Sequence, residues 1–244
     1  MNIAFISDIH GNLQALNSTL KDVQEQGIDI LVILGDVATL GPNPKEVIET
    51  LDGLEAHFIK GNHDDFLIDL FDNPVDYDSL EIYKWTANQL SGNHIKFLKS
   101  FKDVLSLQLN DDTRLIAYHA SPWSNAVSVR EYIRTVEGKN EFDGYDGDIF
   151  IGGHDHIQYK RTVGNKDIVG VGSVGFPYKR VPFSGFPEAY AWSEYAILKV
   201  QQGRPEIMFK KVEYDKQAFR QASFRSDNPI KDWLLSITDE RKVY

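Results

Sequence analysis

Hydrophobic and polar positions change their period along the first part of the chain. Residues 3–6 form an apolar run without helical spacing, which predicts a buried strand that ends before Ser7-Asp8. Apolar positions between Leu13 and Val23 then recur at helical spacing, and they predict an amphipathic helix. Asn12 is its expected N-cap and Gly27 its expected stop.

The same alternation repeats over the next thirty residues. Residues 28–34 are strand-like apart from Asp29, Asn43-Pro44 predicts the start of a second helix, and residues 55–60 predict a third apolar strand. Continuous apolar strands separated by amphipathic helices are typical of a parallel sheet that is covered on both faces.

The rest of the chain has a different pattern. Residues 66–102 are mostly helical in pattern and rich in aromatic residues, and we interpret them as an insertion over one end of the sheet. Two hairpins are predicted further on, 104–109 with 114–118 and 159–163 with 168–171. The remaining predicted elements are a helix at 128–137, strands at 149–151, 195–200 and 206–212, and a helical tail at 215–244. Without a linker or an internal repeat, a single domain over 1–244 is expected.

Composition narrows the function classes. The 26 basic and 36 acidic residues give a net charge of −10, which argues against bulk binding to nucleic acid or to an anionic membrane. The absence of cysteine excludes disulfides, thiolate metal sites and a cysteine nucleophile. The first residues lack the features of a signal peptide, and no aliphatic run approaches the ~20 residues that span a bilayer. A cytoplasmic protein is therefore expected.

Metal-binding residue types follow several of the predicted strands. Asp8 and His10 come after the first strand, and because they are two apart, an extended chain would place both side chains on one side. The other groups of this kind are Gly35-Asp36, Gly61-Asn62-His63-Asp64, His119 and Gly153-His154-Asp155-His156. In open α/β sheets, ligands converge at the carboxyl ends of strands.

Each of these groups alone has an ordinary structural explanation. Asp-x-His and Gly-Asp are usually turns, and a single histidine at a strand end is more often a hydrogen-bonded structural residue. His57, within a predicted strand, and His94, at a polar helix start, are interpreted in that ordinary way. The order of all five groups along one chain, each after a strand, favours a metal site.

In this order the groups resemble the calcineurin-like metallophosphoesterases, in particular the small bacterial and archaeal branch typified by the YfcE-type phosphodiesterases. Gly172-Ser173-Val174-Gly175 extends the resemblance beyond the last histidine pair, while Asp155 and Gly170-Val171 depart from the usual pattern without removing a ligand. The resemblance implies an α/β fold, a four-layer αββα sandwich in which two packed mixed β-sheets are flanked by helices, with a small helical insertion.

The resemblance also implies a role for each residue of these groups. One metal would be bound by Asp8, His10, Asp36 and His156, and a second by Asp36, Asn62, His119 and His154. His63 would act on the substrate as a general acid or as a transition-state stabiliser, held in place by Asp64. The implied reaction is hydrolysis of phosphodiester or phosphoanhydride bonds by a metal hydroxide.

The donor set favours particular metals. Histidine and carboxylate ligands without thiolate suit manganese above all, and also iron, zinc, cobalt or nickel, so two divalent or trivalent transition metal ions are expected. Two divalent ions against the carboxylates of Asp8 and Asp36 leave positive charge for a phosphate group, even in an acidic protein.

The substrate is expected to be a small phosphorylated compound, with diadenosine tetraphosphate or a related nucleotide as the candidate. Aromatic side chains that would stack on a base are Tyr77, Tyr83, Trp85 and Trp123, with a small core of the insertion as the alternative. Cations that would contact a phosphate tail are Arg130, Arg134, Lys179 and Arg180, with solvated surface charge as the alternative.

Two other functions are compatible with this type of site. A phosphomonoesterase or protein phosphatase is one alternative, but the arginine and second aspartate of the phosphoprotein phosphatases are missing from residues 35–40. A non-catalytic scaffold, like one retromer subunit of this superfamily, is another, although His63 and all seven ligand positions are intact. A homo-oligomer is left open.

Overall fold

The computed structural model describes residues 1–74, 81–130, 141–181, 185–200 and 205–239. Its strands are β1 (Asn2–Ile6), β2 (Ile30–Ile33), β3 (His57–Phe58), β4 (Val104–Asn110), β5 (Thr113–Tyr118), β6 (Ile149–Gly152), β7 (Gln158–Val163), β8 (Lys166–Val171), β9 (Tyr178–Arg180), β10 (Glu188–Ala189), β11 (Ser193–Lys199) and β12 (Glu206–Val212). Its helices are α1 (Leu13–Glu25), α2 (Pro44–Asp52), α3 (Asn62–Asp72), α4 (Glu81–Gln89), α5 (Gly92–Lys99), α6 (Lys216–Arg225) and α7 (Lys231–Ile237).

The strands form two five-stranded sheets and a small ribbon. The first sheet has the order β12-β11-β1-β2-β3, the second has the order β4-β5-β6-β8-β7, and β9 pairs with β10. In the first sheet β1, β2 and β3 are parallel, whereas β11 and β12 are antiparallel additions at the other side of β1. The second sheet is also mixed. The α/β fold class with two mixed sheets is therefore confirmed.

The side chains of β1 show how the layers pack. Ile3 and Phe5 are fully buried in a core shared with residues of the second sheet, such as Leu115 and Ile151. The alternate residues of β1, Ala4 and Ile6, are buried against helices. Because strand side chains alternate between faces, one apolar strand contributes to two hydrophobic layers. Each fully buried large apolar side chain contributes about 1.5–3 kcal/mol.

Several predicted elements are confirmed. The side chain of Asn12 accepts a hydrogen bond from the Ala15 N–H at the start of α1, and Gly27 follows the helix with a φ of 62°. Both predicted hairpins are present as β4–β5 and β7–β8. The tail is helical over α6 and α7.

Other predictions differ from the structure. The third strand is only two residues long, and the residues that follow it form single backbone hydrogen bonds to Ile33 and Lys102. The helical region begins at Asn62 rather than at residue 66. The predicted helix at 128–137 falls mostly on residues outside the described part of the chain, and the single-domain assignment stays a prediction. No helix among the described residues is long and apolar enough to cross a membrane.

Candidate metal centre

The loops that follow β1, β2 and β6 carry candidate ligands in an unusual backbone conformation. Asp8 and His10 have φ values of 53° and 49°, and Asp36, His154 and His156 have values of 55°, 67° and 56°. The expectation that Asp8 and His10 share a side through an extended chain is therefore wrong. Left-handed backbone, in which Asp and His are enriched among non-glycine residues, turns these side chains toward one point.

The structure brings all seven candidate ligands together. Ligand atoms of Asp8, His10 and His156 lie within 4.8 Å of one another, and so do those of Asp36, His119 and His154. The Asn62 Oδ1 joins the second group, at 3.1 Å from the His119 Nε2 and 3.0 Å from the His154 Nδ1.

Asp36 lies between the two groups. Its Oδ2 is 3.3 Å from the His119 Nε2 and 3.8 Å from the His10 Nε2. Its Oδ1 accepts a hydrogen bond from the backbone N–H of His63 at 2.9 Å. This single carboxylate is therefore in a position to bridge two cations.

Two histidines of the centre are held in place by the ring nitrogen that faces away from it. The His119 Nδ1 contacts the carbonyl oxygen of Leu34, and the His156 Nδ1 contacts that of Phe176. A carbonyl oxygen only accepts hydrogen bonds, so both Nδ1 atoms carry a hydrogen. In the neutral rings, the Nε2 lone pairs then face the carboxylates, which is the arrangement a metal ligand needs.

The carboxylates of Asp8 and Asp36 are buried anions. Burial by itself would raise the pKa of Asp8, but the charge and hydrogen bonding of His156 and the charge of His119 together outweigh it and lower that pKa to about 2. The pKa of Asp36 is also lowered, because His119 and His63 outweigh its burial. Burial alone would lower the pKa of His119, but Asp36 raises it to about 10. The cluster thus stabilises positive charge beside each carboxylate.

One buried atom tests whether metal fits this cluster. The Asp8 Oδ1 is buried and accepts no hydrogen bond among the described residues, although the His156 Nε2 is 3.3 Å away. A buried carboxylate oxygen that accepts no hydrogen bond is costly unless a cation satisfies it. The donors present, carboxylate and amide oxygen with imidazole nitrogen, suit first-row transition metals.

Two glycines allow the loops to pack this tightly. A Cβ on Gly61 would overlap the carboxylate of Asp36, and a Cβ on Gly153 would overlap the side chain of Ser7 next to Asp8. The glycines that precede Asn62 and His154 are therefore required by close approach of neighbouring loops.

His63 lies beside the centre with its ring held by two hydroxyl groups. Its Nδ1 is 2.9 Å from the Thr39 Oγ1 and 3.1 Å from the Tyr83 hydroxyl, and its Nε2 is 3.9 Å from the Asp36 Oδ2. Burial lowers the pKa of His63.

Asp64 does not take the place expected for it beside the His63 ring. Its carboxylate accepts hydrogen bonds from the backbone N–H groups of Asp36, Val37 and Gly61. Asp64 therefore fixes the loop after β2 to the start of α3, and hydroxyl groups orient the imidazole instead.

The candidate aromatic contacts to a base have partners within the protein. The Trp85 Nε1 donates to the Asp227 carboxylate at 2.7 Å, and Trp123 packs against Phe142 and Tyr145. Tyr83, in α4, stacks on His63 and contacts Phe66 at a tilted angle. Tyr77 lies outside the described residues.

The candidate phosphate contacts are less completely described. Arg130 is half-buried next to Ser128, whose hydroxyl binds Asp155. Lys179 lines a cavity of about 280 Å³ together with Phe186 and Trp233. Arg134 and the side chain of Arg180 lie outside the described part.

Three residues contact the centre or its surroundings although the sequence patterns do not predict them as site residues. Thr39 bridges His10 and His63, Tyr178 stacks on His156 at 4.1 Å, and Asn228 donates to the carbonyl groups that follow Thr39. Each contact joins segments that are far apart in the chain, so no local signal identifies it. The ordinary interpretation of His57 and His94 agrees with their places. His57 is exposed in β3, and His94 is half-buried in the first turn of α5, where its Nδ1 accepts a hydrogen bond from the Ser91 N–H.

Comparison with known proteins gives consistent matches. Residues 1–158 match the model of the calcineurin-like phosphoesterase family. The uncharacterized protein MJ0912 of Methanocaldococcus jannaschii is 30% identical, over 95% of each chain. The crystal structure of a metallophosphoesterase from Sphaerobacter thermophilus has a TM-score of 0.73 and 22% identity, over 98% of each chain. A structure described as a candidate diadenosine tetraphosphatase has a TM-score of 0.55 and 19% identity, over 85% of this chain and 93% of that one.

Proposed function

The chain belongs to the calcineurin-like phosphoesterase family, and from this premise we propose that it is a metal-dependent hydrolase of phosphodiester or phosphoanhydride bonds in small phosphorylated compounds. Membership of this family implies phosphoester hydrolase activity, and the preference for phosphodiester or phosphoanhydride bonds is what we add. The observation that carries it is the convergence of seven residues with nitrogen and oxygen donors, with Asp36 between the two groups and a buried Asp8 oxygen that accepts no hydrogen bond among the described residues.

Two metal ions are part of the proposal. One would be held by Asp8, His10, Asp36 and His156, and the other by Asp36, Asn62, His119 and His154. When bound, two such ions supply Lewis-acid charge for a phosphate group and a water nucleophile at neutral pH. Manganese is our first candidate, with iron, zinc, cobalt and nickel as the other ions that fit these donors.

The protein residues add orientation and a proton. Asp36 and the backbone around it set the distance between the two groups of ligands, and the carbonyl contacts of His119 and His156 fix their rings. His63, whose Nε2 faces the centre, would give its proton to the leaving oxygen of the substrate. Such general acid catalysis typically contributes ~10²–10⁴-fold to the rate.

For the substrate we propose a nucleotide, with diadenosine tetraphosphate as the first compound to test. The fold similarity to a candidate diadenosine tetraphosphatase supports the choice of this compound. The aromatic residues support it less, since Trp85 and Trp123 already contact other side chains of the protein.

The test is an activity panel on protein reconstituted with manganese. Its substrates are bis(p-nitrophenyl) phosphate, p-nitrophenyl phosphate, 2′,3′-cyclic AMP and diadenosine tetraphosphate, with products separated by chromatography. Hydrolysis of a diester or of the tetraphosphate is expected, while hydrolysis of the monoester alone would contradict the proposed bond type.

Two variants connect activity with the metal centre. Asp36→Asn is expected to lose both bound metal, measured by elemental analysis, and activity, because it removes charge shared by both groups of ligands. Asp111→Asn, at an exposed hairpin turn, is the matched control and should keep both. Two bound metals without hydrolysis of any substrate would favour a non-catalytic scaffold.

A further inference from the structure

Thr39 links two histidines that have different tasks. Its side chain is fully buried, and its Oγ1 lies 3.1 Å from the His10 Nδ1 and 2.9 Å from the His63 Nδ1. We propose that Thr39 and Tyr83 are positioning residues for His63, and that Thr39 makes the protonated nitrogen of His63 depend on the state of His10. This inference rests on the proposed function, in which His10 is a metal ligand.

The direction of each hydrogen bond follows from the number of hydrogens available. The His10 Nε2 faces the carboxylates of the centre, and a nitrogen that binds metal has no hydrogen, so the neutral ring carries its hydrogen on Nδ1. That N–H donates to the Thr39 Oγ1. A hydroxyl group has a single hydrogen, and Thr39 is then left to donate it to the His63 Nδ1.

His63 is thereby fixed in one tautomer. With its Nδ1 accepting from Thr39, the hydrogen of the neutral ring is on Nε2, the atom that lies 3.9 Å from the Asp36 Oδ2. This nitrogen faces a leaving oxygen at the metal centre: the neutral ring can donate a hydrogen bond from it, and the imidazolium, whose Nδ1–H then donates to a hydroxyl oxygen, can give the proton and remain as the neutral ring. A hydroxyl at Nδ1 therefore sets up the donor on the opposite side of the ring.

Tyr83 fixes the plane of the same ring. Its ring stacks on His63 with centroids 5.3 Å apart and an interplanar angle of 24°, and its hydroxyl is 3.1 Å from the His63 Nδ1. His10 contacts His63 edge-on, with centroids 4.9 Å apart. Burial raises the pKa of Tyr83 to about 12, so its O–H remains a donor at neutral pH.

The first experiment measures the tautomer directly, without using activity. Protein with ¹⁵N-labelled histidine is loaded with zinc, which is diamagnetic, and its long-range ¹H–¹⁵N correlations are recorded. The His63 signals are assigned by their loss in His63→Asn. We expect hydrogen on Nε2 in the wild type, a smaller excess of this tautomer in Thr39→Val, and a mixture of tautomers when Thr39→Val is combined with Tyr83→Phe, because the Tyr83 hydroxyl can also donate to Nδ1. Hydrogen on Nδ1 in the wild type, or an unchanged spectrum in Thr39→Val, would overturn the inference.

The second experiment measures how the rate depends on the leaving group. Aryl phosphodiesters with increasingly basic leaving phenols are compared in Thr39→Val, Thr39→Ser and Tyr83→Phe. Loss of a hydrogen bond to His63 is expected to lower kcat about tenfold with little change in KM. The defect should grow with leaving-group basicity, as in His63→Asn, and Thr39→Ser should restore most of the rate.

The control is Tyr145→Phe, which removes a tyrosine hydroxyl from the aromatic cluster around Trp123 and should leave the kinetics unchanged. A defect in Thr39→Val and Tyr83→Phe that is equal for all leaving groups, or confined to KM, would overturn the positioning role. So would a Thr39→Ser variant no better than Thr39→Val.

Failure of the proposed function is a different result. If the wild type hydrolyses no phosphate ester but its His63 carries hydrogen on Nε2 in a Thr39-dependent way, the proposed function is wrong and the positioning role stands. If His63→Asn is impaired while Thr39→Val and Tyr83→Phe match the wild type in spectra and rates, the positioning role alone is wrong.

Discussion

The carboxylate of Asp64 is fully buried and accepts hydrogen bonds from the backbone N–H groups of Asp36, Val37 and Gly61, at 2.9, 3.1 and 2.9 Å. We predict that Asp64→Asn lowers the free energy of unfolding by about 1–3 kcal/mol, because the amide –NH₂ group must then face backbone donors. Urea denaturation measures this loss. Asp111→Asn, at an exposed turn, serves as the control, and equal midpoints for the two variants would contradict the prediction.

At this scale the residue types of the centre were predictable, whereas their backbone and their outer contacts were not. Few types of side chain can bind a transition metal, so an aspartate or histidine at a strand end, such as Asp36 or His119, indicates a possible metal ligand. The φ values of Asp8 and His10 depend on hydrogen bonds from their backbone N–H groups to the loop after β2, which no spacing rule contains. Thr39 is an ordinary residue whose importance comes only from two histidines that approach it.

At the scale of elements, the segment between α6 and α7 is tied to the loop beside the metal centre. The buried side chain of Asn228 donates to the carbonyl groups of Leu40 and Gly41, and the neighbouring Asp227 accepts from Trp85 in α4. Leu40 itself has a φ of 74°, an uncommon conformation that surrounding contacts must hold.

We therefore predict that Asn228→Ala lowers the free energy of unfolding by about 1–3 kcal/mol, because it leaves two carbonyl groups of the Leu40–Gly41 loop without their donor. Urea denaturation again gives the value. Asn88→Ala, on the exposed side of α4, is the matched control and should be neutral or slightly stabilising. An Asn228→Ala midpoint equal to that of the control would show that the tail does not hold this loop.

The elements themselves were predictable to different degrees. The β4–β5 and β7–β8 hairpins follow from local turn residues between short apolar runs, and both are present. The start of α3 at Asn62 was missed, because the side chain of Asp64 completes the helix start by accepting from the Gly61 N–H while also serving a neighbouring loop. Local pattern alone does not distinguish a loop after a strand from the first turn of a helix.

At the scale of the whole molecule, sheet order depends on pairings between distant segments. β1 is central because it pairs with β2 on one side and with the late strand β11 on the other. The alternation of strands and helices predicts the parallel side but not the antiparallel one. The convergence of candidate ligands was nevertheless predictable, because the carboxyl ends of parallel neighbours meet at one edge whatever strands are added elsewhere.

The same architecture separates the stability of the fold from that of the centre. The buried apolar clusters on both faces of the first sheet do not require metal, whereas Asp8 and Asp36 place two buried anions close together.

Metal that binds only the folded state stabilises it by about 2.7 kcal/mol per site at a hundredfold excess over Kd. With two such sites in a chain of this size, we expect manganese to raise the Tm of chelator-treated protein by about 10–20 °C. Thermal unfolding with and without manganese measures the shift, which should be absent in Asp36→Asn and kept in Asp111→Asn. A shift of the same size in Asp36→Asn would mean that the metal stabilises the protein from another place.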